Sequence, residues 1–155
     1  MLTEVTEDIM PEYQGVIDHF KRKHIRITES RRAIVIYMIK AHHHPSAEQI
    51  YRDLNPQFPS LSLATIYNNL RMLVDEGFVS EIKVTNDNTT YFDFMGHDHV
   101  NVVCEVCGRI SDLAIELPDI AQEASQQTGY RVTKSQFIIY GICEACQRKN
   151  ETEVY

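Results

Sequence analysis

No stretch of this 155-residue chain approaches the roughly 20 consecutive apolar residues that cross a bilayer. The opening segment, Met1 to Pro11, is acidic and has no apolar run of secretory length, so a signal peptide is not expected. There is no internal repeat and no low-complexity segment. No cysteine stands outside two CxxC steps, so no spare thiol is left to act as a nucleophile. These absences predict a soluble, cytoplasmic protein with no membrane partner, in a compartment where thiols stay reduced and paired cysteines favour metal. The length suits one large domain or two small ones.

What is present is sharper. Cys104-x-x-Cys107 and Cys143-x-x-Cys146 repeat one step across a gap of 35 residues. Two such steps supply four thiolates at the corners of a tetrahedron, the arrangement of a closed structural zinc site. A closed site offers no position to substrate, so it reads as a staple. A redox CxxC or two disulfides are the alternatives.

Net charge is −7, which by itself argues against nucleic acid. Its distribution argues the other way. Between His19 and Lys40, seven cations (Lys21, Arg22, Lys23, Arg26, Arg31, Arg32 and Lys40) face the single acid Glu29. Periodicity predicts a helix through Ile9, Tyr13, Val16, Ile17 and Phe20, and a second capped by Thr28, with Ala33, Ile34, Tyr37 and Met38 inward and Arg31 and Arg32 on the other face. Pro45 ends it, and Ser46 caps a third helix. Ser62 starts a fourth that stops at Gly77. Strands follow over Phe78–Val84 and Thr90–Phe94, with Asn86-Asp87-Asn88 as the turn.

Three helices and a hairpin are the order of a winged helix-turn-helix. On the fourth helix, Thr65, Asn68 and Arg71 lie opposite the apolar stripe, with Tyr67 and Asn69 on its flanks. Small and amide side chains of this kind suit base edges in a major groove. Tyr67, Asn68 and Asn69 are therefore expected to read sequence, together with Ser62 and Thr65 at the helix start. Arg22, Arg31, Arg32 and Arg71 are expected to contact the phosphates of double-stranded DNA. A solvated helix face is the plainer alternative.

Past Met95-Gly96 the pattern predicts strands over His97–Val106 and Ile110–Ile115. A helix is expected over Leu117–Thr128 with Ile120 and Ala121 inward, then a long strand over Arg131–Cys143 and a mobile tail from Lys149. The exposed edge of that strand is best covered by another copy of the chain. The fold class is therefore α+β: an N-terminal winged helix over residues 1–94, of which 1–18 form an extension and helix, and an α/β domain with the four cysteines over residues 95–155. Between the halves stand Asp93, His97, Asp98, His99, Asn101 and Asp112, with His44 in the N-terminal half. A mixed nitrogen and oxygen shell from such residues suits Mn²⁺ or Fe²⁺, and a metal bridging the halves would fix their relative angle.

Arg26-Ile27-Thr28, Thr65-Ile66-Tyr67-Asn68-Asn69-Leu70, Tyr140-Gly141-Ile142-Cys143 and the two CxxC steps together resemble the ferric uptake regulator family, over roughly Phe20 to Lys149. Within it they are most similar to the peroxide-responsive repressor branch. The resemblance implies a homodimer with a four-cysteine zinc in each subunit. It also implies a regulatory site in which His44, Asp93, His99 and Asp112 match four ligands. At the fifth position Asn101 stands where a second hinge histidine is usual; either its oxygen, His97 or a water fills the place, or the site is four-coordinate. The implied activity is metal-dependent repression released by hydrogen peroxide, through iron-dependent oxidation of His44 or His99. This is a stoichiometric event and not enzymatic turnover. An iron- or manganese-uptake repressor that reports occupancy alone is the alternative within the family. A CxxC thiol oxidoreductase is the alternative outside it.

Overall fold

The computed structural model describes residues 2–41, 43–84, 87–94, 100–133 and 135–152. The chain forms two compact units: Met1–Ile82 with Thr89–Gly96, and Lys83–Asn88 with His97–Tyr155.

The first unit is mainly helical. Helix α1 (Met10–Arg22) buries Tyr13, Val16, Ile17 and Phe20, the stripe that the 3.6-residue period requires. It ends with Ile25 N–H donating to Phe20 O at 2.8 Å and His24 N–H to Lys21 O at 3.3 Å. That is a two-bond helix stop, and it puts a non-glycine residue, His24, at φ 57°. Helix α2 (Glu29–Lys40) is buried all round beyond its first turn. Every residue from Ala33 to Ile39 is inaccessible, because α1, α4 and β2 surround the helix. The one-faced pattern expected there is corrected accordingly: a run of seven apolar residues has no solvent face to present.

Helices α3 (Ala47–Leu54) and α4 (Leu63–Asp75) pack on each other and complete the core with Ile50, Leu54, Ile66, Leu70 and Leu73. All three expected caps form. Thr28, Ser46 and Ser62 accept from the amides of Arg31, Gln49 and Thr65. Each satisfies a donor that the first turn leaves without a partner. Gly77, at φ 82°, ends α4 with the same two-bond stop as α1, Phe78 N–H reaching Leu73 O at 2.9 Å. Strands β1 (Val79–Lys83) and β2 (Thr90–Phe94) form a two-stranded sheet. Asn86 of the expected turn lies outside the described residues.

The second unit carries a three-stranded sheet in the order β4-β3-β5, from β3 (Val100–Cys104), β4 (Ile110–Leu113) and β5 (Ile138–Gly141). Strands β3 and β4 are antiparallel, while β3 and β5 run parallel and are joined through α5 (Ile120–Thr128). Three expectations are corrected here. The long strand over Arg131–Cys143 is four residues. Ile120, expected inward, is exposed. The expected mobile tail from Lys149 is helical as far as Thr152, within α6 (Glu144–Thr152), and residues 153–155 lie outside the described residues. Among the described residues no helix is long and apolar enough to cross a membrane.

Candidate metal centres and nucleic-acid interface

The four cysteines converge. Their sulfur atoms all lie within 4.8 Å of one another, and all four are free thiols. Two turns achieve this. Gly108, at φ 78°, lets the chain fold back so that its N–H meets Cys104 O at 3.0 Å while Cys104 N–H meets Arg109 O at 2.9 Å. Cys143 lies just before α6 and Cys146 lies in its first turn. Cys104 and Cys146 are buried, while Cys107 is exposed.

A tetrahedral zinc with sulfurs roughly 2.3 Å away sets its ligands roughly 3.8 Å apart, and Cys107 Sγ stands 3.8 Å from Cys143 Sγ. The cluster could therefore hold one metal ion, and its dimensions fit zinc. The thiols are not equivalent. Backbone amides of Cys107 and Cys143, the latter 3.3 Å away, stabilise the Cys104 thiolate and lower its pKa to about 6. Hydrogen bonding to Cys143, followed by burial, pushes Cys146 up to about 12. The Cys104 thiolate forms readily, whereas the Cys146 thiol gives up its proton only with a cation beside it.

The second candidate set falls into two described pairs. In the first unit, Ser46 and Tyr91 form an antiparallel bridge, and Phe92 N–H donates to Pro45 O at 2.9 Å. Continuing that register sets His44 opposite Asp93. Their Nε2 and Oδ1 atoms are 4.0 Å apart and both side chains are about nine-tenths buried. Two ligands each roughly 2.1 Å from one ion stand roughly 3–4 Å apart, so the pair fits two corners of an N/O shell. In the second unit, Asn101 and Asp112 face each other across the β3–β4 ladder, with Asn101 buried and Asp112 exposed. His97 and His99 lie outside the described residues.

The candidate DNA face is carried by α4 and the starts of α2 and α3. Tyr67, Asn68 and Arg71 are exposed and Thr65 is half-buried. The Tyr67 hydroxyl donates to Glu48 Oε1 at 2.7 Å, which raises the phenol pKa, lowers that of Glu48 and ties α4 to α3. Ser62 Oγ bonds both the Thr65 amide at 3.1 Å and its hydroxyl at 2.8 Å. Arg22 is exposed, and Arg32 Nε donates to Tyr13 Oη at 2.8 Å.

Asn69 departs from expectation. It is 5% exposed; its Oδ1 accepts from Arg31 Nε and its Nδ2 donates to Thr65 O, both at 2.8 Å. Both ends of the amide are engaged within the protein and the side chain is buried, which disfavours base reading. His19, at the edge of the basic stretch, is also engaged within the protein. Its Nε2 lies 2.7 Å from Glu76 Oε2 and its ring meets Phe78 edge-on. Sequence reasoning missed Glu48 as well. A carboxylate in the first turn of a helix is ordinarily explained by the helix dipole alone.

A winged-helix unit followed by a sheet with a four-thiol cluster defines a class that comparison with known proteins makes specific. The model of the ferric uptake regulator family matches residues 22–140. The chain belongs to that family. It is 42% identical over 144 residues to the peroxide-responsive repressor PerR of Staphylococcus aureus (strain Mu50 / ATCC 700699), covering 92% of this chain and 97% of the relative. It is 62% identical to PerR from Streptococcus pyogenes, solved in work on peroxide sensing and gene regulation, with 87% and 92% of the two chains covered and a TM-score of 0.54. A solved GAS PerR-Zn-Zn structure is also 62% identical, with 87% of each chain covered and a TM-score of 0.54.

Proposed function

We propose that the chain is a metal-dependent, DNA-binding transcriptional repressor that responds to hydrogen peroxide. The observation that carries this reading is the buried pairing of His44 with Asp93. His44 lies two residues before Ser46, the N-cap of α3, and α3 packs on α4. A ligand held at His44 therefore acts on the segment that leads into the helix-turn-helix. The identity to PerR proteins supports the same reading.

In this account Tyr67 and Asn68 read bases, helped by Ser62 and Thr65 at the helix start, while Arg22, Arg31, Arg32 and Arg71 meet phosphates. His44, Asp93, His99 and Asp112 hold a regulatory Fe²⁺ or Mn²⁺, with Asn101 or His97 completing the shell. The donor set is nitrogen and oxygen only, which favours those ions over a thiolate-seeking metal. Ferrous iron bound there supplies the reductant for hydrogen peroxide, which manganese does not. The chain's part is to place the imidazoles of His44 and His99 where they are oxidised. A ring that has gained oxygen is a poor ligand, so the shell is lost and the DNA is released. Each event consumes its own protein, so there is no turnover. Zinc at Cys104, Cys107, Cys143 and Cys146 holds the second unit together, consistent with the zinc-bound relative. Exposed Phe137, Ile139, Tyr140 and Ile142 around β5, an edge strand among the described residues, suit a homodimer interface. The working compartment is the cytoplasm, where the DNA is.

The test uses operator duplexes selected from random DNA, read by fluorescence anisotropy, alongside sedimentation of the free protein. A dimer is expected that binds the selected duplex in Fe²⁺ or Mn²⁺ and releases it on dilute peroxide only when iron is bound. Release that ignores peroxide with both metals would instead make the protein a repressor that reports occupancy alone.

A further inference from the structure

We infer that Asn69 is a positioning residue that fixes Arg31 as a preset phosphate clamp, and that it reads no base. The inference rests on the DNA-binding role proposed above and divides the Asn68-Asn69 pair into two tasks.

Both ends of the amide are engaged. Asn69 Oδ1 accepts from Arg31 Nε and Nδ2 donates to Thr65 O, each at 2.8 Å. A flipped amide would point N–H groups at a guanidinium, which only donates, and would set two oxygens against each other at Thr65. The orientation is therefore fixed by chemistry. Arg31 is held a second time, its Nη1 donating to Arg26 O at 2.7 Å. Three segments converge here: the loop before α2, the first turns of α2, and the middle of α4. A guanidinium has five N–H donors. Two are engaged among the described residues, and three remain on a half-buried side chain.

A free surface arginine loses rotamer freedom when it grips a phosphate, and one already held in a planar fork loses less. The bracket therefore favours binding to any duplex, because phosphates carry no sequence. It also ties the cation to α4, so the clamp and the reading helix approach DNA in one register. Asparagine is a poor residue for the middle of a helix. Here its acceptor meets a cation and its donor meets the carbonyl four residues back, which accounts for its presence at a buried position.

The experiment compares the selected operator with a random duplex of equal length, over a range of salt, for the intact metal-loaded protein. Asn69→Ala should weaken both duplexes by the same factor, on the order of two- to tenfold, leaving their ratio unchanged. Its salt slope should match the parent, since no charge is removed. Arg31→Ala should lower that slope by roughly one. In the Arg31→Ala background, Asn69→Ala should have no further effect. Arg31→Lys keeps the charge but not the fork, and should behave like Asn69→Ala. In the free protein, the Arg31 Nε–H signal should exchange slowly with water and be lost in Asn69→Ala. Loss on the operator alone, losses that add, or parent-like binding by Arg31→Lys would each overturn the inference. A parent protein that binds neither duplex would instead remove the DNA-binding reading, with the Nε–H signal still reporting whether the bracket exists.

Discussion

The two units are stabilised by different physics. The first encloses Phe20, Ile34, Met38, Ile50, Ile66, Leu70 and Leu73 in one apolar cluster, all at 1% exposure or less. The second has little of that kind. Val100 and Val103 are buried beside Cys104 and Cys146, while Tyr130 is 75% exposed and Ile139 48%. Burial of this sort is worth roughly 25 cal/mol per Å² of apolar surface, so the first unit can stand on its core. The second buries few apolar side chains among the described residues, which suits the proposal that it relies on its sulfur cluster and a covered face. The difference teaches where each kind of metal chemistry belongs. Four thiolates serve where a core is missing. On the proposed reading, the N/O pair His44–Asp93 sits on a unit with its own apolar core, so filling, emptying or oxidising it is expected to leave that unit folded.

The largest effect expected is on the staple. Zinc in four-cysteine and related sites contributes roughly 10–16 kcal/mol in peptide models. Cys143→Ser, or removal of zinc by a chelator, should abolish hydrogen-exchange protection in β3, β4 and β5 and leave α2 protected. Retained protection in the sheet would show that the second unit does not depend on metal.

Next is the core of the first unit. Leu70→Ala should destabilise it by about 2–5 kcal/mol, with zinc content still one per chain. Calorimetry should then show the helical transition moving while the second unit's transition stays in place.

His44→Ala should be smaller in stability and selective in function. Loss of a ligand should lower affinity for Mn²⁺ on the order of 100-fold or more, measured by competition with a metallochromic dye. Zinc and melting temperature should change little. Unaltered Mn²⁺ affinity would remove His44 from the regulatory shell.

The smallest effect expected is at the α1 stop. His24 holds a left-handed conformation that glycine adopts without cost. His24→Gly should stabilise the first unit by about 0.5–1 kcal/mol, read from denaturant midpoints.

Legibility in the sequence follows the same division. Cap chemistry is local, so Thr28, Ser46, Ser62 and Gly77 could be read directly, and the CxxC steps announced their cluster. The limits of β5 could not be read, because a run of apolar residues around an edge strand looks the same whether it is ladder or exposed face. Helix α6 was hidden behind the second CxxC, where the short polar stretch to Thr152 resembled a tail. The His44–Asp93 pairing joins residues far apart in sequence, and no spacing rule reaches that far; the ligand-rich composition and the resemblance named both residues, and the Ser46–Tyr91 bridge explains why they meet. Asn69 shows the opposite limit. Helical phase placed it on a flank, and only the side chain of Arg31 decides that it is bonded inward.

The most direct measurement asks which unit's metal chemistry meets the oxidant. The iron- and zinc-loaded protein is treated with dilute hydrogen peroxide, digested, and its peptides weighed. One added oxygen on the peptide carrying His44 or His99, absent when manganese replaces iron and with zinc retained, is the expected result. Oxidation appearing first on Cys104, Cys107, Cys143 or Cys146 with loss of zinc would contradict it, and would make the staple itself the sensor.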